Sequence, residues 1–537
     1  MPLGPRNVAD APPSRLTIGD LLRAAARDEP DLVALREGVA PGAVARSWSY
    51  AQLLDVSEQA ARALLQIAEP GERVAIWAHN VPEWIHVQLG ASLADMTVVP
   101  VNPALRFEEA AYVLGHSAAS VVFHVEEYRG SDIASDVADL RRRLPALRHA
   151  VPLSTFDAFR HERDDARPLP VVAGTHVAQI QYTSGTTGRP KGVALTHQGV
   201  VTSSARASQR LGLRAGDAHV HAMPLHHVAG LVVVAMGCIH SRSRNVMLPT
   251  FDPGLQLAVT AQEKSAVLSG VPTMLRAVLD HPSFDAADLS SLRVAVSGGA
   301  LVEPALAQRV ETQLGVPLAI VYGQTESSSI ITMTSPADEA RDRWNSVGRP
   351  FPGIEVRIAT AGNPGVDEGE AGVGEVCVRG ENVMAGYVLE EAMTADTVDA
   401  EGWLHTGDLG WMDERGYLHI CGRLKDMIIR GGENVYPAEV ESVLVRHPAV
   451  AEASVVGAAD DYWGERPVGF VRWSAGSEST ADDLQTFLGE SLAPQKIPRE
   501  WHVVEAFPMN AAGKILKTRL REHLAGGSSL AACTPLR

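Results

Sequence analysis

A loop rich in glycine and hydroxyl residues, YTSGTTGRPKG, runs from Tyr182 to Gly192. Its glycines let backbone N–H groups approach phosphate oxygens, its hydroxyls add hydrogen-bond donors, and Lys191 supplies positive charge. It differs from the Walker pattern, because the lysine follows Arg-Pro and no Ser or Thr comes after it. The loop therefore indicates phosphate binding by a protein other than a P-loop kinase. A flexible surface linker is the weaker interpretation, because linkers rarely lie between apolar strand-like runs.

Six further segments carry residues suited to nucleotide chemistry, and they follow the loop in a fixed order. They are MPLHHVAGL (Met223–Leu231), SGGA (Ser297–Ala300), YGQTE (Tyr322–Glu326), TGD (Thr406–Asp408), GRLKDMIIRGGENVYPAEVE (Gly422–Glu441) and PMNAAGKILK (Pro508–Lys517). With the loop, they closely resemble the motifs of the adenylate-forming superfamily, which includes acyl-CoA synthetases, adenylation domains of peptide synthetases and beetle luciferases. The resemblance covers nearly the whole chain. It implies ATP, Mg²⁺ and coenzyme A as ligands.

The resemblance also implies a set of site residues. The ATP-binding residues are Thr183, Ser184, Gly185, Thr186, Thr187, Gly188, Lys191, Gly298, Gly299, Ala300, Tyr322, Gly323, Gln324, Thr325, Asp408 and Arg423. The acyl pocket is expected to include His227, Gly298 and Gly323. For His227, an alternative stays open, because His226 and His227 fit a pair of satisfied polar residues near a core equally well.

The chemistry that the resemblance implies explains the residue types. Attack of a carboxylate on the α-phosphorus of ATP builds negative charge on phosphoryl oxygens, so catalysis needs cations and positioning. Lys514 is the expected cation at the acyl and α-phosphate oxygens, and Lys191 serves the β and γ phosphates. Thr325 would contact the α-phosphate, while Glu326 supplies the oxygen that Mg²⁺ prefers. Asp408 can accept hydrogen bonds from ribose hydroxyls, and Arg423 can donate to them.

In relatives of this kind the C-terminal domain rotates between adenylation and thioester formation. The resemblance places Lys425 at the hinge and Gly431, Gly432 and Glu433 in the loop that meets coenzyme A. Glycine there would leave room for the pantetheine arm. Gly323 stands where acetate-specific relatives place a tryptophan. A glycine predicts room for a larger substrate, such as a medium-chain, alicyclic or small aromatic acid.

Two further alternatives remain. An adenylating enzyme that loads an acyl-carrier protein would use the same first step, and a catalytically inactive homologue could serve as a binding protein. Intact Lys514, Glu326 and Lys191 count against the inactive homologue. A luciferase-like oxygenase is disfavoured, because the chain ends in Thr-Pro-Leu-Arg, which is not a peroxisomal address.

Composition excludes several classes of protein. The net charge of -17 disfavours a binder of nucleic acid or acidic membranes, which needs an excess of Lys and Arg. The four cysteines lack CxxC spacing and suggest reduced thiols. No secretory signal is expected, because the N-terminal segment MPLGPRNVADAPPSR has no apolar h-region. No membrane span is expected, because the longest apolar stretch, near residues 230–239, is about half the required length. The expected location is cytoplasmic.

The 537 residues require at least two domains. Up to about residue 420, strand-like runs alternate with helical patterns, which predicts an α/β domain of helix-covered sheets with ligands at strand carboxyl ends. The strand-like runs include Arg73–Trp77, Thr97–Val101 and Leu318–Tyr322, and the helical patterns include Pro82–Leu93, Pro272–Leu279 and Pro304–Leu314. Thr196 and Thr480 are the expected N-caps of two further helices. Residues 353–379 change to short strands with glycine-rich turns and predict a β subdomain. A small mobile α+β domain should follow. The predicted domains are residues 1–424, with the ATP and acyl sites, and 425–537, a lid with Lys514.

Overall fold

A computed structural model describes residues 16–162, 167–183, 190–359, 372–431, 433–509, 515–527, 530 and 533–536. The strands are β1 (Val33–Glu37), β2 (Ser47–Ser49), β3 (Arg73–Trp77), β4 (Thr97–Val101), β5 (Val121–His124), β6 (Glu127–Tyr128), β7 (Ser131–Asp132), β8 (His149–Pro152), β9 (Val177–Thr183), β10 (Lys191–Thr196), β11 (Ala218–His221), β12 (Arg244–Met247), β13 (Ser265–Ser269), β14 (Val294–Gly298), β15 (Leu318–Tyr322), β16 (Thr332–Met333), β17 (Arg349–Pro350), β18 (Ile354–Ala359), β19 (Gly374–Gly380), β20 (Gly386–Tyr387), β21 (Leu404–Met412), β22 (Leu418–Arg423), β23 (Ile428–Arg430), β24 (Glu433–Val435), β25 (Val450–Asp460), β26 (Gly464–Trp473), β27 (Glu500–Val504) and β28 (Cys533–Pro535).

The α-helices are α1 (Ile18–Asp28), α2 (Tyr50–Ile67), α3 (Pro82–Leu93), α4 (Phe107–His116), α5 (Ile133–Arg143), α6 (Phe156–His161), α7 (His197–Arg210), α8 (Gly237–Ser241), α9 (Pro253–Glu263), α10 (Pro272–Leu279), α11 (Pro304–Leu314), α12 (Ala340–Asn345), α13 (Glu391–Thr397), α14 (Pro437–Leu444), α15 (Ala481–Gly489) and α16 (Lys517–Leu524). A π-helix spans Ala229–Met236, and 3₁₀ turns span Leu153–Thr155, Thr325–Ser327, Leu424–Asp426 and Pro494–Lys496. Among the helices of the described ranges, none has the length and apolar character needed to cross a membrane.

The chain divides into two compact units, of which the first comprises Met1–Val356 and Val378–Leu404. This unit contains a nine-stranded sheet of order β17-β16-β15-β14-β13-β11-β12-β1-β2 and a seven-stranded sheet of order β20-β10-β9-β4-β3-β5-β8. Strands β11 to β15 pair in parallel, as do β3, β4, β5 and β8. Buried, near-continuous apolar strands of this kind are typical of parallel sheets covered by helices.

The second unit comprises Arg357–Cys377 and His405–Arg537. Its sheet has the order β24-β23-β26-β27-β28, and β25 pairs with β26. Side chains of this sheet and of α14 and α15 form a separate core around Trp501 and Leu484. The short strands β18 and β19 pair in a further sheet of order β18-β19-β21-β22. The predicted domain boundary near Leu424 lies inside this second unit. It stays a prediction, because it marks the expected hinge about which the lid domain would rotate.

The fold class is confirmed: large helix-covered sheets come first, and a smaller α+β unit follows. The predicted strands Arg73–Trp77, Thr97–Val101 and Leu318–Tyr322 have the observed bounds. The predicted helix caps are also present, since the Thr196 and Thr480 side chains accept hydrogen bonds from N–H groups in the first turns of α7 and α15. The mobility of the second unit stays a prediction.

Candidate active site

The phosphate loop is held between two antiparallel strands, β9 and β10. The register places Thr183 opposite Lys191 and Tyr182 opposite Gly192. Both predicted residues at the ends of the loop, Thr183 and Lys191, are thereby brought close together. The remaining predicted loop residues, Ser184, Gly185, Thr186, Thr187 and Gly188, lie outside the described residues.

Side chains of helix α4 form hydrogen bonds with both ends of this loop. The Tyr112 hydroxyl donates to the Pro190 carbonyl at 3.0 Å, and the Tyr182 hydroxyl lies 2.8 Å from His116 Nδ1. Burial raises the pKa of Tyr182 and lowers that of His116, so the phenol stays protonated and the imidazole neutral. Tyr182 can therefore donate to His116. Sequence reasoning missed Tyr112 and His116, because their positions lie some way from the loop along the chain.

The signature turn, defined here as Tyr322–Ser329, follows the carboxyl end of β15. Thr325 and Glu326 begin a single 3₁₀ turn, after which Ser328 and Ser329 both have left-handed φ angles, 49° and 86°. Ser327 N–H and Ser329 N–H both donate to the Gln324 carbonyl at 3.1 Å. Such φ angles are uncommon for residues other than glycine and persist where the surroundings fix them.

A buried asparagine supplies that support from another segment. Asn382 Nδ2 donates to the carbonyls of Ser327, at 3.3 Å, and Ile330, at 2.8 Å. The Met384 N–H donates to the Glu326 carbonyl at 2.8 Å. The signature turn is thus fixed through its backbone by residues more than fifty positions away.

Two glycines of the predicted site are closely packed against backbone. A Cβ at Gly323 would lie 2.2 Å from the Ser329 carbonyl oxygen, and one at Gly298 would lie 2.5 Å from the Val321 carbonyl oxygen. A side chain at Gly323 would begin against the Ser329 carbonyl, so a tryptophan there would require a different backbone path for the signature turn. That Gly323 lines the acyl pocket and leaves room for a larger acid stays a prediction.

The predicted adenine turn lies at the carboxyl end of β14, next to β15 in the parallel sheet. Gly299 has a φ of +76°, which favours glycine, and Ala300 is exposed. Because parallel strands end at the same edge, this turn and Tyr322 lie on neighbouring strand ends.

One tyrosine joins the phosphate loop to the signature turn. Tyr387, on β20, donates from its hydroxyl to Glu326 Oε1 at 2.9 Å. The Lys191 Nζ lies 5.0 Å from the centroid of the same ring. Burial, followed by the nearby Glu326 carboxylate, raises the pKa of Tyr387 and keeps it a donor. The structure therefore brings the predicted phosphate-binding lysine and the predicted metal-binding carboxylate to one residue.

Sequence reasoning missed Tyr387. It lies in a two-residue strand, Gly386–Tyr387, that pairs with β10 across nearly two hundred residues of chain. A strand of that length carries no periodic pattern, so only the segment's glycine and aromatic residue could have drawn attention.

The histidine pair divides between two environments. Burial lowers the pKa of His226 to about 3, so its ring is neutral. His227 is exposed, and its Nδ1 accepts a 3.3 Å hydrogen bond from the Ala229 N–H. The π-helix Ala229–Met236 begins two residues later, and such segments are frequent at functional sites. The sequence did not reveal it, because an apolar run does not distinguish between helix types.

In the second unit, Asp408 and Arg423 are opposite one another on β21 and β22. The Arg423 Nε lies 3.0 Å from Asp408 Oδ1, and Asp408 is buried while Arg423 is half exposed. The Thr406 hydroxyl accepts from the Asp408 N–H at 3.1 Å and donates to the Val376 carbonyl. The structure thus pairs the two residues predicted to bind ribose.

The predicted hinge and the glycine loop, defined here as Arg430–Glu433, are more exposed. Lys425 lies in the 3₁₀ turn Leu424–Asp426 and is exposed. Gly431 has a φ of +60°, and a Cβ there would lie 2.6 Å from the Trp463 ring. Glu433 is exposed and accepts from Gln495 Nε2 at 2.6 Å. Gly432 and Lys514 lie outside the described residues.

Comparison with known proteins agrees with this arrangement. The model of the AMP-binding enzyme family matches residues 22–388, and that of the AMP-binding enzyme C-terminal domain matches residues 439–514. The chain belongs to the AMP-binding enzyme family. In this enzyme family, curated relatives of the chain are named as CoA ligases.

Three similar proteins illustrate the range of the family. A methyl-dioxo-octahydroindenyl-propanoyl:CoA ligase of Mycobacterium tuberculosis is 38% identical over 490 residues, covering 89% of this chain and 94% of the relative. The mitochondrial medium-chain acyl-CoA ligase ACSF2 of Rattus norvegicus is 34% identical, covering 95% of this chain and 87% of the relative. The structure of o-succinylbenzoate CoA synthetase (MenE) from Bacillus subtilis, in complex with its acyl-adenylate intermediate, has a TM-score of 0.81 and 28% identity, covering 95% and 98%. The chain is thus an acyl-CoA ligase acting through an acyl-adenylate.

Proposed function

We propose that this acyl-CoA ligase activates an alicyclic, aromatic or medium-chain carboxylic acid with ATP and transfers the acyl group to coenzyme A. Attack of the acid on the α-phosphorus gives acyl-AMP and pyrophosphate, and the thiol then releases AMP. The observation that carries the proposal is the pairing of Glu326 with Tyr387, whose ring faces Lys191. Tyr387 thereby brings together the Lys191 ammonium of the phosphate loop and the Glu326 carboxylate of the signature turn.

In the first unit, Lys191 and the amides of the phosphate loop bind the β and γ phosphates, and Thr325 contacts the α-phosphate. Glu326 would hold Mg²⁺, because its carboxylate is a hard oxygen ligand and Tyr387 orients it through Oε1. When bound, Mg²⁺ neutralises charge on phosphoryl oxygens. Gly298, Gly299 and Ala300, with Tyr322, Gly323 and Gln324, form the adenine side of the site.

In the second unit, Asp408 binds the ribose hydroxyls and Arg423 holds that carboxylate in place at 3.0 Å. Lys514 supplies the cation at the attacked phosphorus during adenylation. Lys425 is the hinge, and the glycine loop admits the thiol of coenzyme A. These roles come from the resemblance of the motifs, and the ion pair of Asp408 supports the first of them.

The class of acid rests on the relatives, and Gly323, in place of a tryptophan, agrees with an acid larger than acetate. Their names cover a bicyclic propanoate, an aromatic acid and medium-chain acids. The comparisons give no support to an acyl-carrier protein as acceptor, so coenzyme A is the proposed thiol. The cytoplasmic location stays a prediction.

The proposal is tested by two half-reactions on the Lys514→Ala variant. Loss of one electrostatic contact in the transition state lowers the rate by about a hundredfold or more. We therefore expect pyrophosphate release to fall by at least that factor, while thioester formation from supplied acyl-AMP changes little.

Lys517→Ala is the matched control, because Lys517 is held in an ion pair with Glu441 at 2.7 Å. It should retain both half-reactions. Equal damage to both steps in Lys514→Ala would contradict the assignment. A panel of alicyclic, aromatic and linear acids, each with and without coenzyme A, then identifies the substrate class, and activity on acetate alone would refute it.

A further inference from the structure

Among the residues that the structure describes, two groups of three side chains could hold a metal ion. One of them, His502, His523 and Cys533, lies in the second unit, on three separate elements. His502 is on β27, His523 on α16, and Cys533 begins β28. One ligand atom from each residue lies within 4.8 Å of the others. None of the nucleotide or acyl motifs includes these residues.

His502 is oriented as a metal-binding histidine would be. Its Nε2 lies 2.9 Å from Glu500 Oε1, and its Nδ1 lies 3.8 Å from Cys533 Sγ. A carboxylate on one ring nitrogen fixes the proton there and leaves the lone pair of the other nitrogen facing the thiol. The ring also stacks on Phe470, with centroids 4.9 Å apart. Both the tautomer and the orientation of His502 are therefore set before any ion arrives.

The β27–β28 pairing brings the cysteine to the same face. Cys533 is opposite Val504, two residues from His502, so both side chains lie on one face of the sheet. His523 approaches from α16, with its ring centroid 5.8 Å from that of His502. Its Nδ1 accepts a long hydrogen bond, 3.3 Å, from the Leu530 N–H.

We propose that His502, His523 and Cys533 form a zinc site that fastens the C-terminal strand to β27 and α16. One thiolate and two imidazoles are a ligand set that Zn²⁺ favours, with water in the fourth position. On binding, Cys533 loses its thiol proton to solvent and forms a Zn–S bond. Zn²⁺ binds the thiolate form of cysteine, so the ion itself drives this proton release. His523 and Cys533 are only partly buried, which gives the ion a path of entry.

The second group, Glu375, Cys377 and His405, is less suited to an ion. There the same nitrogen, His405 Nδ1, lies 2.8 Å from Glu375 Oε2 and 3.5 Å from Cys377 Sγ. An ion bound to His405 Nδ1 would displace the Glu375 carboxylate from that nitrogen, and Glu375 would then no longer orient the histidine ring. Glu375 also accepts from the Gly407 N–H at 2.9 Å. This group therefore serves as the internal control.

The site is tested on the full-length protein after treatment with a chelator, by titration with Zn²⁺ and, separately, with Co²⁺. Thiolate bound to Co²⁺ gives a charge-transfer absorption band, which reports sulfur ligation directly. We expect one Zn²⁺ per chain, and a charge-transfer band that Cys533→Ser loses and Cys377→Ser keeps. His523→Asn should weaken Zn²⁺ binding at least tenfold. Glu500→Gln, which changes the partner of His502 and also removes the 2.6 Å ion pair of Glu500 with Arg466, should weaken it about 10- to 100-fold.

A second measurement separates binding from damage to the fold. Because a ligand that binds only the folded state stabilises it, excess Zn²⁺ should raise the unfolding temperature of the wild type and not of Cys533→Ser. Circular dichroism of the metal-free variants should match the wild type. Equal affinity of wild type and Cys533→Ser, or loss of the Co²⁺ band in Cys377→Ser alone, would overturn the proposal.

Discussion

The signature turn and the glycine loop carry predicted functions of similar importance, yet they are held in place by different means. The signature turn is fixed by backbone hydrogen bonds, by Asn382 and by close packing in which Gly323 lies against the Ser329 carbonyl. The glycine loop is held at the surface. The Gly431 N–H donates to the Trp463 carbonyl at 2.8 Å, and the Cα of Gly431 faces the half-exposed indole ring of Trp463.

This difference indicates which property each segment protects. A group that must stand at a reacting phosphorus needs a position fixed to a fraction of an ångström. A segment that must admit a long thiol arm needs an accessible backbone. We therefore expect changes in the signature turn to affect stability and adenylation together, and changes in the glycine loop to affect mainly the thioester step.

The largest effect is expected from Gly323→Ala. The new Cβ would lie 2.2 Å from a backbone oxygen that the signature turn holds in place, so either the turn or β15 must move. Overpacking typically costs about 1–3 kcal/mol, and a fixed backbone oxygen as the obstacle places Gly323→Ala at the upper end of that range. Denaturant unfolding should show that loss, and adenylation should fall with it.

Gly237→Ala is the control in the same unit, because its Cβ would meet only ordinary contacts at 3.7 Å. In a helix this change should be neutral or stabilise by up to about 1 kcal/mol. Should Gly323→Ala unfold at the same denaturant concentration as the wild type, the signature turn is not closely packed.

The two units should also differ in their response to acid. Burial lowers the pKa of His219 to about 3 and of His221 to about 4, and their partners, Ser269 and Asn245, are neutral. In the second unit His447 contacts the carboxylate of Asp483 instead. The ordinary histidine pKa is about 6.5, so between pH 6.5 and 4 the unfolded chain binds protons that folded His219 and His221 exclude.

Stability of the first unit should therefore be independent of these two groups above pH 6.5 and fall below it. The slope is about 1.4 kcal/mol per pH unit for each histidine. The free energy of unfolding should be measured with denaturant from pH 7 to pH 4.5. Its slope against pH should be smaller in His219→Gln by the contribution of one proton, and it should be unchanged in the control His161→Gln, whose histidine is exposed. An unchanged slope in His219→Gln would show that His219 is protonated in the folded state.

A smaller, kinetic effect is expected from Tyr387→Phe. This change removes the 2.9 Å hydrogen bond to Glu326 and keeps the ring that faces Lys191. A hydrogen bond to a charged group contributes about 1.5–3 kcal/mol, so adenylation should slow at least tenfold and need more Mg²⁺. Tyr387→Leu also removes the ring face and should weaken ATP binding further. Pyrophosphate exchange as a function of Mg²⁺ measures both, and an unaltered Mg²⁺ dependence would separate Glu326 from the metal.

The smallest effect on stability is expected from Gly431→Ala. A left-handed φ costs about 1–2 kcal/mol in a residue other than glycine, and the Trp463 ring must turn aside. Since the ring is half exposed, it can do so. Thioester formation from supplied acyl-AMP should slow, while adenylation stays within twofold. If adenylation falls as strongly as it does in Gly323→Ala, the contrast between the two segments is wrong.

The sequence by itself determined the class of protein and some of the elements. Periodic apolar patterns place β3, β4, β15, α3, α10 and α11 at their observed bounds, because these elements are strongly amphipathic or wholly buried. The motif residues could be named from the sequence. Residues of three motif groups lie together in the structure: Thr183 with Lys191, Asp408 with Arg423, and the turn Tyr322–Glu326. Local spacing suffices there, since strand pairing or a single turn joins the members.

Tertiary structure decided what surrounds those residues. Tyr387 meets Glu326, and Tyr112 and His116 secure the phosphate loop, only because distant segments pack side by side. Tertiary structure also places Gly323 against the Ser329 carbonyl, a contact that residue size alone does not reveal, because the direction of a Cβ depends on the backbone. Contacts between residues far apart in the chain leave no periodic signal, and they set the positions on which catalysis depends.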